Sequence, residues 1–326
     1  MPDRMSDLPL ASVVVCTRNR SRKLAQCGAA LRAIDYPADR WELLIVDNGS
    51  TDDTLAVARS LAQGNPVRVQ VVEESRPGIS AARNAGVRLA RGEIVAFTDD
   101  DALPSPGWLR ELVEALGRED AAVAGGPVVP SFDGELPAWF SDRFLPYLSA
   151  WDRGPEVHPL TYNDYPRGAN MAFRRGVFQS YGDFSLDLGR QGGSLLSCEE
   201  TEICLRVERG GDRIVYVPGA LVRHLTATER ITPRWLARRF FAQGRSEAIV
   251  EWRHAGWRGL RRGWLRWRRM AVRARQDRGR QSDGALYARC VRSALLGYSR
   301  AVTTAPLRVA RYLPARGADH EWWPWE

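Results

Sequence analysis

Three consecutive carboxylates, Asp99, Asp100 and Asp101, follow the apolar run Ile94 to Phe97. Like charges packed this closely resist ionising together unless a cation or a set of donors offsets them. A divalent ion that prefers hard oxygen ligands, Mg2+ or Mn2+, is the simplest offset. Capping is the alternative, because Pro104 and Pro106 precede a predicted helix from Trp108, but one aspartate suffices for a cap and two charges are left over.

A second acidic stretch, Asp47-Asn48-Gly49-Ser50-Thr51-Asp52-Asp53-Thr54, follows the apolar Leu43 to Val46. Gly49 suits a tight turn, Ser50 or Thr51 a helix cap, and Asp52 and Asp53 the positive end of that helix. Asp47, beside Asn48, is then available to a ligand such as a nucleobase or ribose. In a third cluster, Cys198-Glu199-Glu200-Thr201-Glu202, the acids suit the first turn of a predicted helix without any further role. A carboxylate there could equally be a general base for a hydroxyl, and spacing does not choose between these readings.

These clusters need a scaffold, and the first hundred residues supply an alternating one. Strand signals at Ser12 to Cys16, Glu42 to Val46, Val67 to Val72 and Glu93 to Phe97 are separated by helical stretches at Arg22 to Ala33, Asp53 to Ala62 and Ile79 to Leu89. Such alternation predicts an α/β fold with a mostly parallel sheet, whose ligands collect outside the carboxyl ends of the strands. From Pro130 to Pro166 the pattern loosens into a connection too long for an ordinary loop. Order returns at Asn170 to Phe173, a helix from Cys198 to Arg209, and a strand-like Arg213 to Val217 that leads to His224.

The net charge of +8 is unevenly placed: Arg234 to Arg316 holds 21 arginines against 4 acidic residues, so the rest of the chain is net negative. Trp235, Phe240, Phe241, Trp252, Trp257, Trp264 and Trp267 lie among those arginines. Basic residues interleaved with aromatics suit an anionic membrane surface, nucleic acid, or packing on the catalytic domain; the membrane surface is the preferred reading and nucleic acid is not expected. The terminal Glu321 to Glu326, with three tryptophans, reads as an interfacial anchor or a partner-binding tail. No run approaches the ~18 apolar residues of a membrane span, and no apolar leader core opens the chain. The expected location is therefore cytoplasmic, with peripheral contact at the inner face of the membrane. Five cysteines without a C-x-x-C pair indicate neither a zinc site nor a disulfide framework.

Four ordered motifs resemble the family 2 glycosyltransferases: Val14 to Arg20, Val46 to Thr54, Gly78 to Gly86, and Phe97-Thr98-Asp99-Asp100-Asp101. The likeness continues through Gly168 to Arg175 and Glu199 to Arg206, covering about residues 10 to 225. It implies a GT-A fold, a nucleotide-diphospho-sugar donor, a divalent metal, and transfer with inversion to a saccharide or lipid-linked acceptor. By that resemblance Asp99 and Asp101 match a D-x-D motif. Asp101 would hold Mg2+ or Mn2+ and Asp99 would face the ribose or the metal, with Asp100 between them. Thr17, Arg18, Arg20, Asp47 and Asn48 would line the nucleotide pocket, with Arg83 near the diphosphate. His224 matches a position that completes the metal shell in some relatives; a structural or surface role is its alternative.

Glu200 aligns with the family's catalytic base, but relatives usually carry Glu-Asp where this chain has Glu199-Glu200, so Glu199 stays a second candidate. Many relatives also carry Asp-Asp-Gly-Ser where this chain has Asp47-Asn48. An amide donates as well as accepts, which bears on base preference; UDP- or dTDP-sugars are the leading expectation and GDP-sugars the next. Trp139, Trp151 and Asn170 are candidate acceptor contacts, with core packing the other reading of the tryptophans. The expected organisation is a nucleotide-sugar half at 1–105, an acceptor and base half at 106–229, and a basic, Trp-rich helical extension at 230–326. Two rival classes fit some of these features: a nucleotidyltransferase, which would want a glycine-rich or basic phosphate loop that Thr17-Arg18-Asn19-Arg20 does not provide, and a sugar- or nucleic-acid-binding protein without turnover.

Overall fold

The computed structural model describes residues 8–162, 164–279 and 282–308. The Trp-rich terminus at 321–326 lies outside them. The chain alternates through β1 (Ala11–Thr17), α1 (Ser21–Arg32), β2 (Trp41–Asp47), α2 (Thr54–Ala62), β3 (Arg68–Glu73), α3 (Ile79–Leu89) and β4 (Ile94–Asp99). These four strands pair in parallel in the order β3-β2-β1-β4. Every residue of β1 and β2 is buried, as expected of strands covered on both faces.

The two ends of these strands differ in what their polar groups do. At the amino end, Ser12 Oγ donates to Glu42 Oε1 at 2.8 Å, and the backbone N–H groups of Arg91 and Gly92 donate to Glu42 Oε1 and Ser12 Oγ. That polar pair is closed off by main chain. The carboxyl end instead gathers Thr17, Asp47 and Asp99 at neighbouring strand termini, with Thr17 opposite Asp47 and Cys16 opposite Asp99.

The chain continues through β5 (Ala102–Pro104), α4 (Trp108–Arg118), β6 (Val123–Gly125), β7 (Val128–Phe132), β8 (His158–Pro159), β9 (Met171–Arg174), α5 (Gly176–Tyr181), α6 (Glu199–Arg209), β10 (Ile214–Tyr216) and β11 (Val222–Thr226). The large sheet extends from β4 through β9, β6, β10 and β8. β9 runs antiparallel to both β4 and β6, so the sheet is mixed rather than parallel throughout. Because Phe97 lies opposite Met171, the residues just before β9, Gly168 to Asn170, arrive beside the aspartates at the end of β4. A second, three-stranded sheet has the order β5-β11-β7.

The capping reading of the aspartates fails here. Asp99 ends a strand, Ala102 begins another, and α4 is preceded by Gly107. Nor do Ser50 or Thr51 cap α2: Asp53 holds the N-cap position, while Asp52 Oδ1 accepts from Thr54 N–H at 3.0 Å. The long connection is also more regular than its composition suggests. It contains a 3-10 helix at Asp142–Leu148, strand β8, and a backbone pairing of Trp151 with Val128.

Two compact units emerge. One takes the described residues of Met1–Ser131, Ser149–Phe184 and Glu200–Leu225; the other takes those of Phe132–Leu148, Ser185–Glu199 and Thr226–Glu326. The first is built on the large sheet, with an apolar core from Val13, Leu24, Leu43, Trp108 and Leu112 on one face and a ring cluster of Phe97, Phe173, Phe178 and Phe184. The second contains the helical extension, α7 (Pro233–Gln276) and α8 (Gly284–Arg308). Thr232 caps α7 by accepting from Trp235 N–H, with Pro233 at its first turn. The helix breaks at Gly256, whose φ of 56° lies in the region that favours glycine.

Candidate active site

The loop after β1 is locked to the loop after β2 before any charge is placed. Asn19 adopts a left-handed φ of 52°. Its side-chain oxygen accepts from Thr51 N–H at 2.7 Å, and its own N–H donates to Ser50 Oγ at 3.0 Å. Arg20 N–H donates to Thr54 Oγ1 at 2.8 Å. Asn19 was given no role by its motif; its tolerance of left-handed backbone is the signal that could have singled it out.

That anchored loop carries Arg20 to the aspartates. Arg20 Nη1 lies 2.9 Å from Asp100 Oδ1 and 2.6 Å from Asp101 Oδ2, and Thr17 Oγ1 donates to Asp100 Oδ2 at 2.8 Å. Lys23 Nζ is 3.8 Å from Asp101 Oδ2 and donates to the Leu225 carbonyl at 3.0 Å. Burial pushes the Asp100 carboxyl up to about 7, with Asp101 and Asp99 adding to the rise while Arg20 and Thr17 oppose it. Thr17 and Arg20, expected to line a nucleotide pocket, are engaged as partners of the aspartates. Arg18 is exposed.

Asp101 and His224 are both buried, and His224 Nε2 is 3.2 Å from Asp101 Oδ1. The histidine sits within β11 rather than after a strand, opposite Ala102 of β5. Ligand-capable atoms of Asp99, Asp101 and His224 all lie within 4.8 Å of one another. Two carboxylate oxygens and an imidazole nitrogen form a donor set that suits Mn2+ and admits Mg2+. Arg20 engages Oδ2 of Asp101, so Oδ1 is the atom turned toward His224.

Arg83 is buried on α3, which starts after Gly78, a residue at φ 124°. Its guanidinium donates to the Gly168 carbonyl at 3.1 Å, is 3.4 Å from Asp99 Oδ1, and lies over the rings of Phe97 and Phe184. The adjacent Asn84 exchanges two hydrogen bonds of 2.9 Å with the backbone of Phe184. The positive end of this arrangement therefore stands beside the more exposed of the aspartates, where an anionic group could be met.

At the end of β2, Asp47 is buried; its Oδ2 accepts from Ser50 N–H at 3.0 Å, and its Oδ1 has no hydrogen-bond partner among the described residues. A buried acceptor in that state favours a donor from outside the chain. Asn48 has a different job. Its Nδ2 donates to the carbonyls of Glu74 and Arg76 at 2.9 and 2.7 Å, and its Oδ1 accepts from Gly78 N–H at 2.8 Å. The amide ties β2 to the start of α3, a demand that the sequence reading of base preference did not foresee.

Glu199 and Glu200 occupy the first turn of α6, Glu199 buried and Glu200 half-buried. Cys198 precedes them at φ 71°. Glu202 is spent within the helix, pairing with Arg206 at 2.9 Å, and Arg206 also donates to the carbonyls of Tyr181 and Asp183.

Two of the three expected acceptor contacts, Asn170 and Trp151, are buried within the first unit. Asn170 is fully buried: its Oδ1 accepts from Trp108 Nε1 at 2.8 Å and its Nδ2 donates to the carbonyls of Pro127 and Ala220. It fastens separate segments of the core. Trp151 is buried against Tyr216, with its indole N–H on Asp164 at 2.9 Å. Trp139 belongs to the second unit, half-buried against Phe140 and Phe144. All five cysteines are buried free thiols, in keeping with a structural role.

Residues 12–182 match the family model described as glycosyl transferase family 2. The chain is 31% identical over 243 residues to the glucosyl-dolichyl phosphate glucuronosyltransferase of Haloferax volcanii, covering 74% of this chain and 77% of that protein. It is 30% identical over 256 residues to the succinoglycan biosynthesis protein ExoM of Rhizobium meliloti, covering 77% of each. Among solved structures, the mannosyltransferase PcManGT of Pyrobaculum calidifontis, in complex with GDP-Man and Mn2+, is similar with a TM-score of 0.57 at 21% identity, over 96% of this chain and 79% of that one. S. aureus TarS gives a TM-score of 0.52 at 18% identity, over 71% and 39%. The fold is GT-A, and with the matched motifs in place at the carboxyl edge of its sheet the chain belongs to glycosyltransferase family 2.

Proposed function

We propose that this enzyme transfers a sugar with inversion from a nucleotide-diphospho-sugar, UDP- or dTDP-linked, to an acceptor hydroxyl, acting in the cytoplasm in polysaccharide or glycolipid assembly. The observation that carries the donor assignment is the meeting of Asp99, Asp101 and His224 within 4.8 Å beside Arg83. Those three residues would hold Mg2+ or Mn2+, which when bound supplies charge neutralisation at the donor's diphosphate. Arg83 adds a fixed positive charge on the same side, and Asp47 Oδ1 offers a buried acceptor to the nucleoside.

In the reaction, Glu200 takes the acceptor hydroxyl's proton, the oxygen forms a bond to the anomeric carbon, and the carbon–oxygen bond to the diphosphate breaks. The nucleoside diphosphate leaves with the electron pair. Glu200 lies half-buried in the first turn of α6, and a carboxylate there is the group assigned to take the proton. The named relatives support the acceptor class, one acting on glucosyl-dolichyl phosphate and the other in succinoglycan biosynthesis, so a lipid-linked or saccharide acceptor is the reading carried forward.

The test pairs binding with turnover. Thermal shifts with Mn2+ and a panel of UDP-, dTDP- and GDP-sugars should single out one donor; GDP-sugars belong in the panel because PcManGT holds GDP-Man. With that donor, Glu200→Gln should lower transfer by about 10²- to 10⁴-fold while leaving the donor-induced shift intact. Transfer that survives Glu200→Gln but is lost in Glu199→Gln would move the base to Glu199, and donor binding without transfer to any acceptor would favour a binding protein.

A further inference from the structure

Beyond the break at Gly256, α7 carries eight arginines and no acidic residue between Trp257 and Gln276. Trp257, Arg261, Trp264, Arg268 and Val272 recur at spacings of four, three, four and four, which places them on one face of the helix, and all five are exposed. Trp257 is 64% exposed, Trp264 37% and Val272 52%. Arg268 stacks its guanidinium 5.6 Å from the Trp264 ring, and the Trp264 indole donates to Ser299 of α8 at 3.2 Å. Trp257, Leu260, Arg261 and Trp264 line a groove of about 380 Å³ with Ser299 and Val302 of α8. One turn before Ser299, Leu296 is 64% exposed.

A face kept in water would mix acids among its bases and turn its indoles inward. This one carries no acid and leaves Trp257 largely exposed, whereas Trp252, earlier on the same helix, is buried. We infer that this face docks on an anionic lipid bilayer. Trp257, Trp264, Val272 and Leu296 enter the interfacial layer while the arginines meet headgroup phosphates.

Two other occupants fit less well. Nucleic acid would use the arginines and stack on the indoles, but exposed aliphatic side chains such as Val272 and Leu296 give a base nothing to stack on. A second copy in a two-fold pair would set the same arginine-rich face against itself, with no acid to offset the charge. The inference does not depend on the transferase reading, because docking requires neither donor nor acceptor.

Co-sedimentation of the full chain with vesicles tests it, using phosphatidylcholine alone and phosphatidylcholine with about 30% phosphatidylglycerol at low and high salt. Binding should be confined to the anionic vesicles and weaken with salt. A double variant, Trp257→Ser with Leu296→Ser, leaves the net charge unchanged and should lower partitioning by about tenfold or more, with an unaltered far-UV circular dichroism spectrum. Arg261→Gln with Arg268→Gln should weaken binding and flatten its salt dependence. The inference is overturned if the intact chain ignores anionic vesicles at low salt, or if the serine variant binds them as the wild type does. It is equally overturned if duplex DNA displaces the chain from vesicles at matched phosphate concentration, or if the face proves to mediate a dimer that the serine variant abolishes.

Discussion

His224 Nε2 stands 3.2 Å from Asp101 Oδ1, although the two residues lie far apart in the chain, Asp101 in the turn between β4 and β5 and His224 within β11. The antiparallel register of β11 on β5 makes the contact: His224 falls opposite Ala102, the residue next to Asp101, and the Asp101 carbonyl accepts from Leu225 N–H at 2.7 Å. Backbone pairing thus fixes both candidate ligands from the outside. His224→Ala should weaken Mn2+ binding by about 10- to 100-fold, the range for losing a group that orients or completes a metal shell. Calorimetric titration with Mn2+ checks it, and unchanged affinity would return His224 to a purely structural role.

Arg20 is the chain's own counterion for Asp100 and Asp101. Arg20→Met should destabilise the metal-free protein by about 2 kcal/mol, below the range for breaking a fully buried pair because the Arg20 side chain is 34% exposed. Added Mn2+ should recover part of that loss, since a cation that binds only the folded state offsets the same charge. Melting curves with and without Mn2+ distinguish the two contributions; equal losses in both conditions would mean that the metal and Arg20 do not act on the same carboxylates.

Asn170 separates packing from acceptor binding. Asn170→Leu keeps a similar volume but strands Trp108 Nε1 and the carbonyls of Pro127 and Ala220, each buried group losing a partner. The expected loss is about 2–4 kcal/mol in denaturant unfolding. For the fraction that stays folded, the acceptor KM should be unchanged. A raised KM at undiminished stability would instead restore Asn170 to the acceptor site.

Glu251 gives the helical unit a pH dependence. Burial is the main cause that pushes its carboxyl from 4.5 up to about 7, opposed by Arg266 at 2.9 Å and by the Tyr298 hydroxyl. A folded-state value above the unfolded one means that the folded state holds the proton longer. The stabilisation is therefore complete below pH 4.5 and is lost as pH rises through about 7. The whole change amounts to about 3 kcal/mol at most. Glu251→Gln should remove this component, so the difference in melting temperature between variant and wild type should grow in the variant's favour from pH 5 to pH 8. A difference that stays flat across that interval would show that Glu251 remains ionised throughout.

The sequence by itself determined the first half of the fold and the identity of the charged residues. Fully apolar runs at Val13 to Val15 and Leu43 to Val46 have to be covered on both faces, and helical spacing between them demands parallel crossovers, so the carboxyl edge and its aspartates were legible from local pattern alone. The basic helical extension was legible for the same reason, since charge composition is a local property. What only the tertiary structure decided depended on residues distant in the chain. β9 runs antiparallel and delivers Gly168 to Arg83, β11 pairs with β5 and buries His224 against Asp101, and the loop held by Asn19 carries Arg20 onto the aspartates. Asn48, Asn170 and Trp151 went the other way, from expected ligand contacts to internal ties, because the groups that occupy them, backbone carbonyls for the two amides and the Asp164 carboxylate for the indole, come from segments that only folding brings near. A polar side chain's type states what it can bond to; which partner it meets is set by register and burial, and those are decided between segments rather than within one.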